Sequence, residues 1–127
     1  MKILPPLLIM IPLSLFGLGK SDKTAPKNIS PADAKAMLGK DASCVLLDVR
    51  TKDEFNEGHI KGAKLIPVAE IAVRAENELP DKDAAILVYC RSGNRSARAA
   101  GILAAMGYTN VYDLGGIRSW PYEIVKD

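Results

Sequence analysis

A cysteine followed by a short polar segment is the feature of this chain best suited to chemistry. The segment reads Cys90-Arg91-Ser92-Gly93-Asn94-Arg95-Ser96. It follows the apolar run 86–89 and precedes the alanine-rich stretch 97–106, an order that predicts a tight turn from a buried strand into a helix. A loop that enters a helix exposes backbone N–H groups without intrahelical partners, and these donors, with the positive end of the helix dipole, favour an anion. The thiolate of Cys90 is a candidate for that anion, which makes Cys90 a candidate nucleophile.

The charges near this cysteine are positive. Arg91, Arg95 and Arg98 cluster around it, and no carboxylate occurs anywhere from 84 to 110. We therefore expect a positive potential that attracts small anions to the loop. A cysteine beside arginine or at a helix N-terminus has its pKa lowered from about 8.5 to roughly 3.5–7.5, so much of Cys90 is expected to be thiolate at neutral pH.

Short apolar runs of strand length alternate with segments suited to helices. The predicted strands are 44–49, 64–66, 85–89 and 110–113. The predicted helices are 31–38 (closed by Gly39), 51–57, 68–79, 97–106 (closed by Gly107) and a last one around 117–120. This alternation predicts an α/β fold, with a mostly parallel central sheet of about five strands and helices on both faces. Ligands bind at the carboxyl ends of the strands in such sheets, and the cysteine loop lies at such an end.

Residues 1–19 differ in composition from the rest of the chain. Lys2 is followed by a mostly apolar run that contains three prolines and is short for a membrane-spanning helix, which needs roughly 20 residues. The pattern is typical of a secretory signal peptide, and we expect cleavage after Gly19. A polar linker over 20–28 and one domain over 29–127 would follow, in a protein exported to the periplasm or a similar compartment without stable membrane insertion after cleavage. The alternative is an uncleaved N-terminal anchor.

The composition fits one globular domain, with no reason to expect nucleic acid as a partner. Of the 127 residues, 48% are hydrophobic and 25% charged, and the net charge is only +2. One histidine and two separated cysteines give no metal-ligand spacing, so we expect neither a metal nor another cofactor. Cys44 opens an apolar run and is interpreted as an inert core thiol. A disulfide with Cys90, which an oxidising compartment would permit, is the less favoured alternative because it would remove the nucleophile.

Five ordered segments resemble signatures of the single-domain rhodaneses, the thiosulfate sulfurtransferases, of the exported bacterial type. They are Leu46-Leu47-Asp48-Val49-Arg50 with Glu54-Phe55; Gly58-His59-Ile60-Lys61-Gly62-Ala63; Ile66-Pro67; Val88-Tyr89 with the cysteine loop; and Leu114-Gly115-Gly116 with Trp120. Together they extend over roughly residues 29 to 121. The resemblance implies a rhodanese-like fold and a sulfur transfer that needs no cofactor.

In the reaction that the resemblance implies, the Cys90 thiolate attacks the outer sulfur of a small anionic donor such as thiosulfate or a polysulfide, and it becomes a persulfide. A thiol, cyanide or a sulfur-accepting protein then removes that sulfur. Backbone N–H groups from 91 to 96 would surround the sulfur, with Gly93 allowing the tight curve. Arg91 and Arg95 would bind the oxygens of the donor. Local hydrogen bonds are expected from the remaining polar side chains of the loop, Ser92, Asn94 and Ser96.

Three other interpretations of the loop stay open. In phosphatases and arsenate reductases of related fold, five residues separate the cysteine from an arginine, whereas Arg95 here comes one residue early. A persulfide carrier that hands its sulfur to a partner protein would need the same loop as an enzyme. A catalytically inactive interaction domain is also conceivable, but the intact Cys90 argues against it.

The other polar side chains in the matching segments are interpreted as scaffold. The resemblance places Asp48 and Arg50 near the edge of the sheet, where they would pair with neighbouring loops, and it pairs His59 with backbone groups. Trp120 is interpreted as an apolar anchor for the last helix. The loop side chains themselves have the alternative of a cap or turn role without substrate contact.

Overall fold

A five-stranded parallel sheet forms the centre of the molecule. The computed structural model describes residues 24–126. Its strands are β1 (Lys27–Asn28), β2 (Val45–Asp48), β3 (His59–Ile60), β4 (Lys64–Leu65), β5 (Ile86–Cys90), β6 (Val111–Gly116) and β7 (Ile124–Val125). The main sheet has the order β1-β6-β5-β2-β4 with every pair parallel, and β3 and β7 form a separate antiparallel pair. The predicted α/β fold, with a mostly parallel sheet of about five strands, is confirmed.

Within residues 24–126, four helices connect the strands. They are α1 (Pro31–Lys40), α2 (Lys52–Glu57), α3 (Ile71–Glu78) and α4 (Asn94–Ala105), with short 3-10 turns at Val68–Glu70 and Ile117–Ser119. Among the residues that the structure describes, no helix has both the length and the apolar character needed to cross a membrane.

The central strand β5 is buried on both faces. Ile86, Val88 and Cys90 point into one core cluster, which includes residues of α3 and α4. Leu87 and Tyr89 point into a second cluster on the other face, which includes Ala34 of α1. Because both faces are covered, the strand is apolar without interruption, which is the pattern from which it was predicted.

Local capping fixes where α1 and α2 begin. The Ser30 side chain accepts a hydrogen bond from the backbone N–H of Asp33 at 3.1 Å. The Thr51 side chain accepts from the backbone N–H of Glu54 at 3.2 Å, and the Glu54 carboxylate accepts from the backbone N–H of Thr51 at 3.0 Å. Each contact satisfies a donor that the first turn of a helix leaves unpaired.

Several predicted boundaries were wrong. The first helix does not end at Gly39 but runs to Lys40, where the backbone N–H of Asp41 bonds the Met37 carbonyl. The predicted helix 68–79 is a 3-10 turn followed by α3, and the predicted loop at 59–60 contains β3. The last predicted helix is only a 3-10 turn, and β6 extends to Gly116. The first helix continues past Gly39 because a single glycine lowers helix propensity without ending the helix. The strand β3 was not predicted because two residues are too few to show an alternating hydrophobic pattern.

The predicted linker, 20–28, overlaps the sheet. Its last two residues, Lys27 and Asn28, form β1 and pair with Tyr112 and Asp113 of β6. Both are exposed on the edge of the sheet, so their side chains carry no apolar signal. The predicted signal peptide, 1–19, and the cleavage after Gly19 lie outside the described residues.

Candidate active site

Cys90 is the last residue of β5, and its sulfur faces the start of α4. Only 1% of the residue is exposed. The backbone N–H groups of Gly93 and Ser96 donate to its Sγ at 3.0 and 3.3 Å. The loop between strand and helix is shorter than predicted, because α4 begins at Asn94 rather than at 97. Three of the predicted loop residues, Asn94, Arg95 and Ser96, therefore form the first turn of the helix, whose N–H groups are directed at the sulfur.

Two glycines allow this close approach. Gly93 has a φ of 112°, in the left-handed region, which other residues rarely adopt. Gly116 pairs in register with Cys90, and a Cβ at Gly116 would lie 2.9 Å from the Cα of Ser92 and closer still to the Arg91 carbonyl oxygen. The backbone of the cysteine loop therefore contacts the end of β6 directly. This contact fixes the position of the loop relative to the sheet. The backbone conformation of Gly93 fits the tight curve expected there, whereas the packing of Gly116 against the loop was not anticipated.

The surroundings of Cys90 favour its thiolate. Burial raises the pKa of the Cys90 thiol, but the backbone N–H and hydroxyl of Ser96 and the backbone N–H groups of Gly93 and Arg95 outweigh that effect, so its pKa lies below the ordinary value. The Ser96 hydroxyl has a single hydrogen and lies 2.8 Å from Oδ1 of Asp113 and 3.0 Å from the Gly93 carbonyl oxygen. Because the hydroxyl can donate this hydrogen to only one acceptor at a time, it does not always stabilise the thiolate. The backbone N–H groups have fixed directions and therefore stabilise the thiolate of Cys90 at all times.

Asp113 joins the end of β6 to the first turn of α4. Its Oδ1 accepts hydrogen bonds from the Ser96 hydroxyl at 2.8 Å and from the backbone N–H of Gly115 at 2.9 Å. Ser96 is completely buried, so its hydroxyl needs such a partner. Its hydrogen bonds agree with the cap or turn role that was the alternative to substrate contact. Nothing in the sequence near Cys90 points to Asp113, because the contact spans 17 positions.

Arg95 is held by a carboxylate from another part of the chain. Its two terminal nitrogens donate to the carboxylate oxygens of Glu54 at 2.7 and 3.0 Å. Hydrogen bonds from Arg95, reinforced by Thr51, lower the pKa of Glu54 to about 2. This pair is absent from the sequence prediction, in which Arg95 was assigned to the donor oxygens. It also shows that the loop is less positive than the carboxylate-free stretch 84–110 suggested.

The other loop side chains face solvent or the neighbouring cleft. Arg91, Ser92 and Asn94 are exposed. Arg91 borders a cleft of about 430 Å³ that is lined by Arg50, Glu54, Glu57, Gly58, Ile117 and Arg118 as well. Of the two arginines predicted to meet an anionic donor, Arg91 is thus the one without a carboxylate partner among residues 24–126.

The side chains interpreted as scaffold are buried and paired. Asp48 and Arg50 bind each other at 2.7 Å, and Arg50 also donates to the carbonyl of Gly58 at 2.7 Å, which is the pairing expected with a neighbouring loop. His59 Nδ1 lies 2.9 Å from the Phe55 carbonyl oxygen, and the two rings stack at 3.7 Å. The backbone partner expected for His59 is therefore present. These contacts join α2, β2 and β3 beneath the cleft.

Cys44 lies at the opposite end of the sheet from Cys90. Its neighbour Val45 pairs with Ile86, and Cys90 ends that strand four residues later, which separates the two cysteines by about 13 Å at roughly 3.3 Å per residue. A disulfide needs Cα atoms within about 7 Å, and both thiols are free. Burial, together with Asp41, raises the pKa of Cys44 to about 11, which agrees with an inert thiol. Within residues 24–126 no group of three potential metal ligands comes together.

Comparisons with known proteins agree with this geometry. The model of the rhodanese-like domain family matches residues 30–122. Thiosulfate sulfurtransferase PspE of Escherichia coli is 39% identical over 63% of this chain and 77% of its own length. YrkF of Bacillus subtilis, named as a candidate sulfur carrier protein, is 38% identical over 68% of this chain and 46% of its own.

A solved structure shares the fold as well. A rhodanese with anions from E. coli superposes with a TM-score of 0.63 at 36% identity, covering 66% of this chain and 99% of that one. The family match spans strands β2 to β6, the cysteine loop and the 3-10 turn at Ile117–Ser119. The chain belongs to the rhodanese-like domain family.

Proposed function

We propose that this protein is a sulfurtransferase that moves a sulfane sulfur from thiosulfate or a similar donor to a thiol or cyanide through a persulfide on Cys90. Membership of the family and the similarity to PspE make the chain a sulfurtransferase. One observation carries the finer proposal: the Cys90 sulfur lies at the start of a 12-residue helix and accepts N–H bonds from Gly93 and Ser96. This arrangement stabilises a thiolate and, equally, the anion of a persulfide.

The two half-reactions conserve charge at the cysteine. The Cys90 thiolate attacks the outer sulfur of thiosulfate, a new S–S bond forms, and the old S–S bond breaks with its electron pair leaving on sulfite. The product is a persulfide anion that the same N–H groups can hold. An acceptor thiolate then attacks the outer sulfur and leaves with it as a persulfide, while the pair returns to Cys90. Cyanide takes the sulfur in the same way and leaves as thiocyanate, so no external redox partner is needed.

The Glu54–Arg95 pair supports sulfur transfer over phosphate-ester hydrolysis. A phosphatase of this type uses an arginine after the cysteine to bind the oxygens of a phosphoryl group. Arg95 comes one residue early for that role, and both of its terminal nitrogens already donate to Glu54. Arg91, which is exposed beside Cys90, is the arginine we assign to the sulfonate oxygens of thiosulfate.

The test is incubation with thiosulfate followed by intact-protein mass spectrometry. We expect the wild type to gain one sulfur atom that cyanide removes. Cys44→Ser is the matched control because it removes the other thiol, and it should still gain the sulfur. Cys90→Ser should gain none. An adduct that persists in Cys90→Ser, or none on the wild type, would contradict the proposal.

A sulfur carrier is the second candidate, favoured by the similarity to YrkF. The two functions differ in the fate of the persulfide. An enzyme turns over continuously with small thiols or cyanide, whereas a carrier keeps its sulfur until one particular protein accepts it. Steady-state release of sulfite in the presence of a small thiol favours the enzyme.

We further propose export to the periplasm with removal of residues 1–19. The apolar run after Lys2 and the polar segment after Gly19 support this proposal. Expression of the full chain in a bacterium, followed by fractionation and mass measurement, tests it. Recovery of the intact chain from the membrane fraction would instead support an uncleaved anchor.

A further inference from the structure

The Ser96 hydroxyl is completely buried beside the reactive sulfur, so the direction of its single hydrogen decides which atom it stabilises. Its oxygen lies 2.8 Å from Oδ1 of Asp113, 3.0 Å from the carbonyl oxygen of Gly93 and 3.5 Å from that of Gly115. It also lowers the pKa of the Cys90 thiol when it donates to the sulfur. Four acceptors therefore compete for one hydrogen.

Asp113 is the strongest of these four acceptors. Its Oδ1 is the nearest of the three oxygen atoms to the hydroxyl. It also carries a charge that the two carbonyl oxygens lack, and hydrogen bonds to an ionised group are roughly twice as strong as bonds between neutral groups. Sulfur is a weak acceptor by comparison. The Ser96 hydrogen is therefore directed to Asp113.

The backbone of β6 holds the Asp113 carboxylate in place. Val88 of β5 pairs with Asp113. The next residue of β5 pairs with Gly115, so β6 carries one extra residue between the two pairs. Bulges of this kind re-aim side chains beside functional sites. The backbone N–H of Gly115 donates to Oδ1 at 2.9 Å, which fixes the same oxygen that receives the Ser96 hydrogen.

No cation forms an ion pair with Asp113 among residues 24–126. The other charged side chains near the cysteine loop either bind each other or are exposed: Glu54 binds Arg95, Asp48 binds Arg50, and Glu57, Arg91, Arg98 and Arg118 are exposed. The negative charge of Asp113 is therefore available to hold the hydroxyl hydrogen.

We propose that Asp113 is a positioning residue that keeps the Ser96 hydrogen off the Cys90 sulfur. The inference rests on the proposed function, because it takes Cys90 as the nucleophile. With the hydroxyl turned away, backbone N–H groups alone hold the thiolate, which leaves more of its electron density for attack. A further donor would stabilise the thiolate but make it less reactive, since the nucleophilicity of thiolates falls about 3-fold for each unit by which the thiol pKa falls.

The experiment measures the reactivity of Cys90 toward iodoacetamide, a neutral reagent whose iodide the thiolate displaces. Every protein carries Cys44→Ser, so that Cys90 is its only thiol. Alkylation rates are followed by mass spectrometry across the range in which the thiol ionises. They give both the pKa of Cys90 and the limiting rate of its thiolate. The comparison includes the parent protein, Asp113→Asn, Ser96→Ala and the double variant.

The four proteins should show a coupled effect. Asp113→Asn keeps an oxygen for the N–H of Gly115 but is a weaker acceptor for the hydroxyl, so the Ser96 hydrogen turns to the sulfur. We expect the pKa of Cys90 to fall and the limiting rate to drop about 2- to 5-fold. Ser96→Ala removes a hydrogen that the sulfur does not receive, so it should not raise that pKa. Most of the effect of Asp113→Asn should be lost in the double variant.

Glu54→Gln is the matched control. Glu54 is the other carboxylate at the first turn of α4, and it binds Arg95 rather than Ser96. Its removal changes the local field, so its effect should be the same with and without the Ser96 hydroxyl. An effect of Asp113→Asn that is equally undiminished in the Ser96→Ala background would overturn the inference. A rise in the pKa of Cys90 in Ser96→Ala would also overturn it, because the hydroxyl would then already donate to the sulfur.

Alkylation keeps this inference distinct from the proposed function, because it involves no sulfur transfer. A protein that gains no sulfur from thiosulfate but shows the expected coupling would defeat only the proposed function. Asp113→Ala replaces the asparagine variant if that variant does not fold, as judged by urea unfolding. It removes the acceptor altogether, so the limiting rate should fall at least as far. An unchanged limiting rate in a folded Asp113 variant overturns the positioning role.

Discussion

Replacing Gly116 by alanine tests whether the position of the cysteine loop makes Cys90 reactive. Gly116 has φ −103° and ψ 141°, values that alanine adopts freely, so the substitution introduces no backbone strain at the site itself. Its effect comes from the added Cβ, which would lie 2.9 Å from the Cα of Ser92 and 3.0 Å from the carbonyl carbon of Arg91. These atoms belong to the loop backbone and cannot rotate out of the way.

The magnitude follows from the required displacement. Ordinary contact for a Cβ begins at 3.4 Å, so the backbone at Ser92 must retreat by about 0.5 Å, and the Arg91 carbonyl by more. Overpacking of this kind costs about 1–3 kcal/mol of unfolding free energy. The Gly93 N–H that donates to the sulfur follows directly, and a misplacement of about 1 Å at a reacting centre can cost roughly 100-fold in rate. We expect persulfide formation to slow by roughly 10- to 100-fold.

The assay is the rate of persulfide formation from thiosulfate, measured by quenched mass spectrometry, together with urea unfolding. Gly101→Ala is the matched control, because that position lies inside α4 with no atom within 4 Å of the added Cβ. It should react at the wild-type rate and gain about 0.5–1 kcal/mol of stability from the loss of a helical glycine. A Gly116→Ala protein that forms persulfide as fast as wild type would refute the reasoning.

Two further predictions concern charge at the site. Glu54→Gln should lower the unfolding free energy by about 1 kcal/mol at pH 7, since the pair with Arg95 is only partly buried. Because Arg95 lowers the pKa of Glu54 from 4.5 to about 2, this contribution is complete above pH 4.5 and is lost as the pH falls toward 2. Urea unfolding of both proteins across that range should therefore show their difference shrinking, and a difference that grows would contradict the assignment. NMR titration of isotope-labelled cysteine Cβ carbons should show Cys90 ionising below the ordinary thiol pKa and Cys44 near 11; the reverse order would exclude Cys90 as the activated thiol.

The elements that the sequence predicted well are those whose signals are local. The apolar run ending at Cys90 and the capping residues Ser30 and Thr51 each depend on neighbours within a few positions. The edge strand at Lys27–Asn28 was assigned to a linker, because it is held only by backbone pairing with β6. A strand of two exposed polar residues has no apolar pattern to detect.

The start of α4 was misplaced for a different reason. The sequence from Asn94 to Ser96 is polar and resembles a loop, but it is helical, and the backbone N–H groups of Arg95 and Ser96 donate to the Cys90 sulfur. The helix propensity of individual residues predicts the ends of a helix poorly, because tertiary hydrogen-bond partners of the terminal N–H groups decide where the helix begins. Cys90 itself belongs to β5 because it pairs with Gly116 of β6.

The residues that sequence reasoning missed all approach the loop from distant segments. Glu54 reaches Arg95 across 41 positions, and Asp113 reaches Ser96 across 17. The stretch 84–110 carries no carboxylate, yet the fold brings two of them to the first turn of α4. A charge count along the chain could not reveal this, because the sheet order decides which segments become neighbours.

These two carboxylates clarify how the site handles charge. Arg95 is neutralised by Glu54, so it cannot be the main attraction for a negatively charged sulfur. The cysteine carries a single negative charge as a thiolate and again as a persulfide, and the N–H groups of Gly93 and Ser96 can stabilise that charge in both states. A site of this kind needs no further fixed cation at the sulfur. Arg91 and Arg118, which form no ion pair within residues 24–126, border the adjoining cleft, where their charge can attract an anionic donor.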